Sequence, residues 1–566
     1  MRLSVLLCCG IFLGIGCRPE PLPAQHDPYD SGGPLLPEQA AYDVTFYDLA
    51  VRVEPDERAI AGTLTATARI VAPTAHFVLD LDPLLDVGSV TERGEGGATM
   101  ALAFERRGGR IWAAFPFMKQ PGETVIVEVV YGGQPREAPN PPWEGGFTWA
   151  ETPSGQPWIA TSCQTQGADV WWPVKDHVSD EPDSMAIRVT VPQPLVAAAN
   201  GALRGIAEHE DGRVTYDWFV STPINAYTVA LNIAPYRTIE TTFESVAGDT
   251  FPVIFWVLPE DFEKGRQFFP EILDHLRFYE QTLGPYPFRA DKYGVAQTPH
   301  LGMEHQTIIA YGAGFDNAAM TGYDPGFDAL HHHELAHEWW GNLVTNAHWN
   351  DMWLHEGFGT YMQALYAEYL QDDKALQEGE YPPGDDAYHA YMTSMRGGIA
   401  NRQPLASREV YSARQVYGGD IYVKGAWVLH TLRFLIGEDK LRRALRRMTY
   451  PDPALENVAD GCACRFATTD DFMNLVEEIA GVELDWFFDV YLRQPGLPTL
   501  VTQRRGDVLD LAWETPQDLP FPMPIDVQLG EEIRRVEMTD GRGSLSVPEG
   551  VGLVVDPRNW ILREGN

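Results

Sequence analysis

From Tyr42 to about Ile239, apolar residues return at every second position in short runs such as "VTFYDLAVRV", "GTLTATARIV", "ETVIVEVVY" and "YTVALNIAPY", split by turn residues. Period-two alternation without a long helical segment predicts an all-β region. Past about residue 250 the spacing lengthens. "EDFEKGRQFFPEILDHLRFYEQTLG" reads as a helix, as do segments near 327–341, 350–370, 420–436 and 469–492. Pro495 and Pro498 then break the pattern, and "DVLDLAWE", "IDVQL" and "VGLVVDP" alternate again. The expected fold class is therefore α+β and multidomain: an N-terminal β-sheet domain over 42–243, a helix-rich domain over 244–495 and a C-terminal β-sandwich over 496–566. A chain of 566 residues is too long for one core, which agrees.

The ends and the composition narrow the picture. Arg2 precedes an uncharged run, Leu3 to Cys17, shorter than the roughly 20 residues that span a bilayer. This has the form of a signal peptide. Gly14-Ile15-Gly16-Cys17 resembles the bacterial lipoprotein signal, which implies an exported, envelope-bound protein anchored by a lipid on Cys17; a secreted or periplasmic form is the alternative. Residues 18–41 hold six prolines and little periodicity, the composition of an extended tether. With 44% hydrophobic and 11% aromatic residues the rest has ample material to bury, so it is globular rather than disordered. A net charge of −38 argues against nucleic acid and favours cationic ligands such as amines. After Cys17 only Cys163, Cys462 and Cys464 remain, too few for a disulfide framework.

The chemistry gathers at "HHHELAHEWW", His331 to Trp340. At about 100° per residue, His333 and His337 stand about 40° apart on one helix face, while His331 and His332 point more than about 100° away from it. Glu334 lies at the edge of the shared face, placed to reach a water beside a metal rather than the metal itself. This is the content of H-E-x-x-H: two imidazole ligands with a base between them. A catalytic zinc needs a third protein ligand. The helix "NDMWLHEGFGTYMQALYAEY" offers Glu356, nineteen residues after His337.

"HELAHEWWGNLVTNAHWNDMWLHEGFGTYM" resembles the gluzincin metallopeptidases of the aminopeptidase N and leukotriene hydrolase family. The resemblance implies a thermolysin-like catalytic domain over 244–495 and one zinc per chain, held by His333, His337 and Glu356, with Glu334 as general base. His331, His332 and His355 are expected on a solvated polar face, or at most as hydrogen-bond partners of the site.

Two further segments extend the resemblance. "PHLGMEHQT" is similar to the family's G-x-M-E-N edge strand, which implies that Glu304 holds the free amino group of a peptide while the Gly302-Met303 backbone pairs with it. Leu301 and His305 depart from that pattern. In "SCQTQGADVWWPVKD", Gln164 is the expected second amine contact, with Gln166 as its rival and Asp169 standing where members often carry Arg. "DIYVKGAWVLHTLRFLIG" resembles the Y-x-K-G segment, which implies that Tyr422 donates to the oxyanion; Tyr417 is the alternative. Larger members carry a further helical domain at the C-terminal end, and without it the cleft is expected to open more freely. The implied activity is zinc-dependent removal of N-terminal residues from peptides with a free N-terminus. The competing readings are a zinc endopeptidase of the same fold, which has no use for Glu304, and a surface peptide-binding lipoprotein with a degenerate site.

Overall fold

The computed structural model describes residues 27–94, 97–378, 384–409 and 411–565. The expected signal peptide, Cys17 and the first part of the expected tether lie outside these residues. No helix among those described is long and apolar enough to cross a membrane.

The N-terminal region is built of sheets. An eight-stranded sheet runs in the order Ala202–Glu208, Arg213–Val220, Ser184–Pro192, Tyr42–Glu54, Ala59–Ile70, Thr124–Gly133, Leu85–Arg93, Thr99–Ala101. Alternation places one face inward: Tyr47, Leu49, Val51 and Val53 of one strand are buried, and Leu49 pairs with Leu64 on one side and Ile187 on the other. The phase is kept across Val44 and Tyr47 by a bulge between Val44 and Phe46, which lets residues three apart share a face. A smaller sheet, Val196–Ala199, Leu231–Ala234, Pro157–Ser162, Gly146–Glu151, ends its third strand two residues before Gln164.

Residues 27–41 depart from the tether expected of 18–41. The Ser31 amide donates to the Thr165 carbonyl, and the Ala413 amide donates to that of Ser31. Asp30 accepts from the Ser412 hydroxyl and the Arg414 amide, and Gln39 is buried with its amide on Asp80. Gly32 lies at φ +91° against Trp349, where a Cβ would come within 2.1 Å of the indole. His177 reaches the Gly33 carbonyl at 3.2 Å. The polar side chains between the prolines find partners far along the chain.

A five-stranded sheet follows, in the order Arg237–Glu244, Thr250–Val257, Tyr293–Gln297, Ile309–Tyr311, Gly302–Met303. Its first hairpin straddles the boundary expected at 243/244, so this sheet begins at Arg237, inside the stretch assigned to the N-terminal domain. Helix α1 (Phe262–Leu283) crosses between the parallel strands Thr250–Val257 and Tyr293–Gln297. Gly302–Met303 forms the antiparallel edge.

The remaining helices are α2 (Ala329–Ala336), α3 (Trp353–Glu378), α4 (Gly384–Met395), α5 (Ala413–Val416), α6 (Gly419–Ile436), α7 (Glu438–Thr449), α8 (Thr469–Ala480) and α9 (Asp485–Tyr491). Two are shorter than their sequence pattern suggests. The helix expected over 327–341 ends at Ala336, and the segment expected over 469–492 breaks at Gly481, which takes the left-handed conformation at φ 72°. Beyond it, Thr499–Arg505, Val508–Glu514 and Arg542–Ser546 form one three-stranded sheet and Glu532–Val536, Ile525–Leu529 and Leu553–Val555 another. Leu509, Leu511, Ile525 and Val527 are buried, as the alternation predicts for a sandwich.

Candidate active site

Helix α2 starts at Asp328, whose carboxylate accepts from the His331 amide at 2.9 Å and so caps the first turn. Its last turn delivers His333, and His337 follows as the C-cap, still right-handed at φ −69°. The i, i+4 relation therefore survives although the helix stops earlier than expected. The two Nε2 atoms stand 3.2 Å apart, and Glu356 Oε2 lies 3.1 Å from His333 Nε2 and 3.4 Å from His337 Nε2. All three residues are buried.

The donor set suits a divalent metal. His337 Nδ1 lies 2.9 Å from the Trp340 carbonyl, which assigns the ring proton there and turns the Nε2 lone pair toward His333 and Glu356. Four ligands about 2.0–2.1 Å from a tetrahedral zinc sit about 3.4 Å from one another, close to the separations present here. No other group of three or more His, Cys, Asp or Glu among the described residues converges in this way.

Glu356 reaches the pair because α3 and α6 cross without side chains between them. A Cβ on Gly357 would lie 2.9 Å from the Gly425 Cα, so only glycine permits this approach. The residues beside that crossing then meet: Tyr422 donates its hydroxyl to Glu356 Oε1 at 2.9 Å.

The edge strand closes the other wall. A Cβ on Gly302 would fall 2.4 Å from Glu334 Oε1, so the glycine lets the strand lie against that carboxylate. Glu304, two residues on, is buried and receives the Gln164 amide, whose Nε2 also lies 3.1 Å from Glu356 Oε1. The structure thus brings His333, Glu334, His337, Glu356, Glu304, Gln164, Gly302, Met303 and Tyr422 to one cleft of about 480 Å³. Gln166 is directed elsewhere, onto the Gly145 amide.

Burial and mutual repulsion govern the acids. Burial, with the Glu356 charge adding to it against His337, pushes Glu304 up to about 7. Burial also drives Glu334 well above the carboxylate range. Glu356 is the exception: burial raises it, but the His333 hydrogen bond and the His337 charge hold it well below its usual value. His337 in turn overcomes burial through Glu356 and rises to about 10.

The other histidines are not on a solvated face. His331 is fully buried between His275 Nδ1 at 2.8 Å and the Tyr293 hydroxyl at 2.9 Å, and His332 pairs with the Tyr279 hydroxyl at 3.0 Å inside an aromatic cluster. His355 accepts from the Asn346 amide at 2.9 Å, which pins the loop leading out of α2. Tyr417, expected only as a substitute for Tyr422, is present beside it: its hydroxyl lies 2.9 Å from Gln164 Oε1 and touches the Tyr422 hydroxyl. Tyr227 faces Glu304 from the β region, and its strand-like surroundings gave no sign of this.

Residues 273–491 match the Peptidase family M1 domain. The chain is 25% identical to aminopeptidase N of Haemonchus contortus over 433 residues, covering 70% of this chain and 42% of that protein. To leukotriene A-4 hydrolase of Xenopus laevis it is 26% identical over 361 residues, covering 59% and 54%. It thus spans about half the length of these relatives. Among solved structures it is similar to an M1 zinc metallopeptidase from Deinococcus radiodurans, with TM-score 0.62 and 25% identity over 81% of this chain and 94% of that one. A variant of that metallopeptidase bound to a Tyr-Ser-Ala substrate gives 0.63 at 24% identity, over 83% and 98%. The matched helical region, the shared fold and the His333, His337, Glu356 constellation agree: residues 273–491 form a Peptidase family M1 domain, and the chain is similar to aminopeptidase N and leukotriene A-4 hydrolase.

Proposed function

We propose that the chain is a zinc aminopeptidase that removes single residues from the free N-terminus of peptides. The observation that carries this reading is the placement of Glu304 and Gln164. One amide, that of Gln164, touches both Glu304 and the ligand Glu356, so a carboxylate able to hold an ammonium closes the cleft a single residue's length from the His333, His337, Glu356 triad. An endopeptidase needs that space open.

His333, His337 and Glu356 would hold one zinc ion per chain, which when bound supplies Lewis acidity, polarising a carbonyl and lowering the pKa of water. Glu304 and Gln164 bind the peptide's ammonium and set its first residue in register. The Gly302–Met303 backbone, paired on one side with Ile309–Tyr311, offers its other side to the extended peptide. Glu334, held against that strand, takes the proton of the attacking water and returns it to the departing amine. Tyr422 turns its hydroxyl from Glu356 to the oxygen that gains charge in the transition state.

Hydrolysis of a panel of aminoacyl-anilides, with N-acetylated counterparts and a zinc chelator, tests the reading. Turnover of the free amines is expected to stop on chelation and return with zinc, and the acetylated forms are expected to be inert; equal turnover of both forms would sink the exopeptidase assignment. We read residues 1–17 as an export signal with a lipid on Cys17, supported by the Gly14-Ile15-Gly16-Cys17 segment. Mass spectrometry of the N-terminal peptide from membranes decides this, and an unmodified chain still beginning at Met1 would refute it.

A further inference from the structure

Three contacts in the cleft compete for two protons. Tyr417 lies 2.9 Å from Gln164 Oε1, its hydroxyl touches that of Tyr422, and Tyr422 lies 2.9 Å from Glu356 Oε1. The Gln164 amide cannot be reversed to help, because its Nε2 already serves the carboxylates of Glu304 and Glu356, leaving Oε1 as a pure acceptor. The contacts of Tyr417 with Gln164 Oε1 and of Tyr422 with Glu356 Oε1 each take a phenolic proton, the latter oxygen also receiving the Gln164 amide, and the contact between the phenols needs a third. Two hydroxyls supply two.

We infer that Tyr417 is a positioning residue that couples recognition of the substrate's amino group to the donor strength of Tyr422. The inference rests on the aminopeptidase reading. With no peptide bound, Tyr417 gives its proton to Gln164. An ammonium held by Glu304 brings its own N–H to Gln164 Oε1, and the Tyr417 hydroxyl rotates to donate to the Tyr422 oxygen. A phenol that accepts a hydrogen bond is a stronger donor, so Tyr422 is polarised once the N-terminus is in place. No bond breaks; one hydroxyl changes its acceptor. Tyr417 sits where it can do this because it ends α5, whose first residues are fastened to Asp30 and Ser31.

The test is a double-mutant cycle of Tyr417→Phe and Tyr422→Phe on an anilide substrate, with folding checked by thermal melting. Tyr417→Phe alone is expected to lower kcat about tenfold, the size of one lost hydrogen bond, while KM changes by less. In the Tyr422→Phe background the same change is expected to cost less than about twofold. A full tenfold effect in that background means that Tyr417 acts through general packing and overturns the inference, as does an unchanged kcat in the single variant. Should Tyr417→Phe fail to fold, Tyr417→Leu enters the same cycle with the same criteria. A wild-type protein that releases no amino acid from any anilide would fail the functional reading itself, separately from this one.

Discussion

Two pairs of histidines occupy neighbouring positions at α2 and meet opposite fates. His331 and His332 face α1 and its aromatic residues; burial pushes His331 down to about 3, and its nitrogens serve only as hydrogen-bond partners. His333 and His337 face α3 and α6, where Glu356, Glu304 and Glu334 converge, and there His337 rises to about 10 although burial still holds His333 below its usual value. The residue type and the helix are the same. What differs is whether carboxylates or aromatic rings lie opposite, so a histidine's role is set by the far wall of its surroundings and only its direction by its place in the helix.

The sharpest way to break this contrast is on the acidic side. Glu334→Gln keeps the shape of the site and removes only the proposed base; kcat is expected to fall about a thousandfold with zinc content unchanged, measured by anilide hydrolysis and metal analysis. Retained activity would sink the mechanism. On the other face the currency is stability. His331→Ala removes a fully buried ring with two hydrogen bonds, and denaturant unfolding is expected to show a loss of about 3 kcal/mol with zinc still bound. His333→Ala should invert that outcome, losing the metal while the metal-free protein unfolds within about 1 kcal/mol of the parent.

The smallest effect concerns a third kind of histidine. Burial, with His348 and Lys175 assisting against the Gly33 contact, lowers His177 to about 4. Below its unfolded value near 6.5 the unfolded chain binds the proton more readily, so stability is complete above about pH 6.5 and is lost as pH falls toward 4. Melting curves across this window are expected to lose up to about 2 kcal/mol, and His177→Gln to flatten that slope. A wild type indifferent to pH there would show that burial does not hold His177 neutral.

What the sequence made legible follows the range of the interactions. His333, Glu334 and His337 could be placed because four residues on a helix fix their own geometry. Glu356 and Tyr422 were readable from the motifs around Gly357 and Gly425, although the reason for those glycines, two backbones in contact, is visible only in three dimensions. The same holds for Gly302, whose missing side chain makes room for a carboxylate from another element. Tyr417 was undervalued because its partners are Gln164 and Tyr422, one of them 253 residues away. The surroundings of His331 and His332 were misjudged because polarity suggests water, and nothing local announces Tyr279, Tyr293 or His275.

The latch formed by Asp27 to Gly33 has a practical side. It joins Thr165, next to Gln164, to Ser412 and Ala413, just ahead of Tyr417, through partners more than 380 residues apart in the case of Asp30. A recombinant protein trimmed to begin at Tyr42, where the first long strand starts, would retain all the proposed zinc ligands, the proposed base and the proposed donor tyrosine. It would also lose the piece that fastens the two sides of the cleft together, and a feeble preparation of that kind would report on the trimming rather than on the protein.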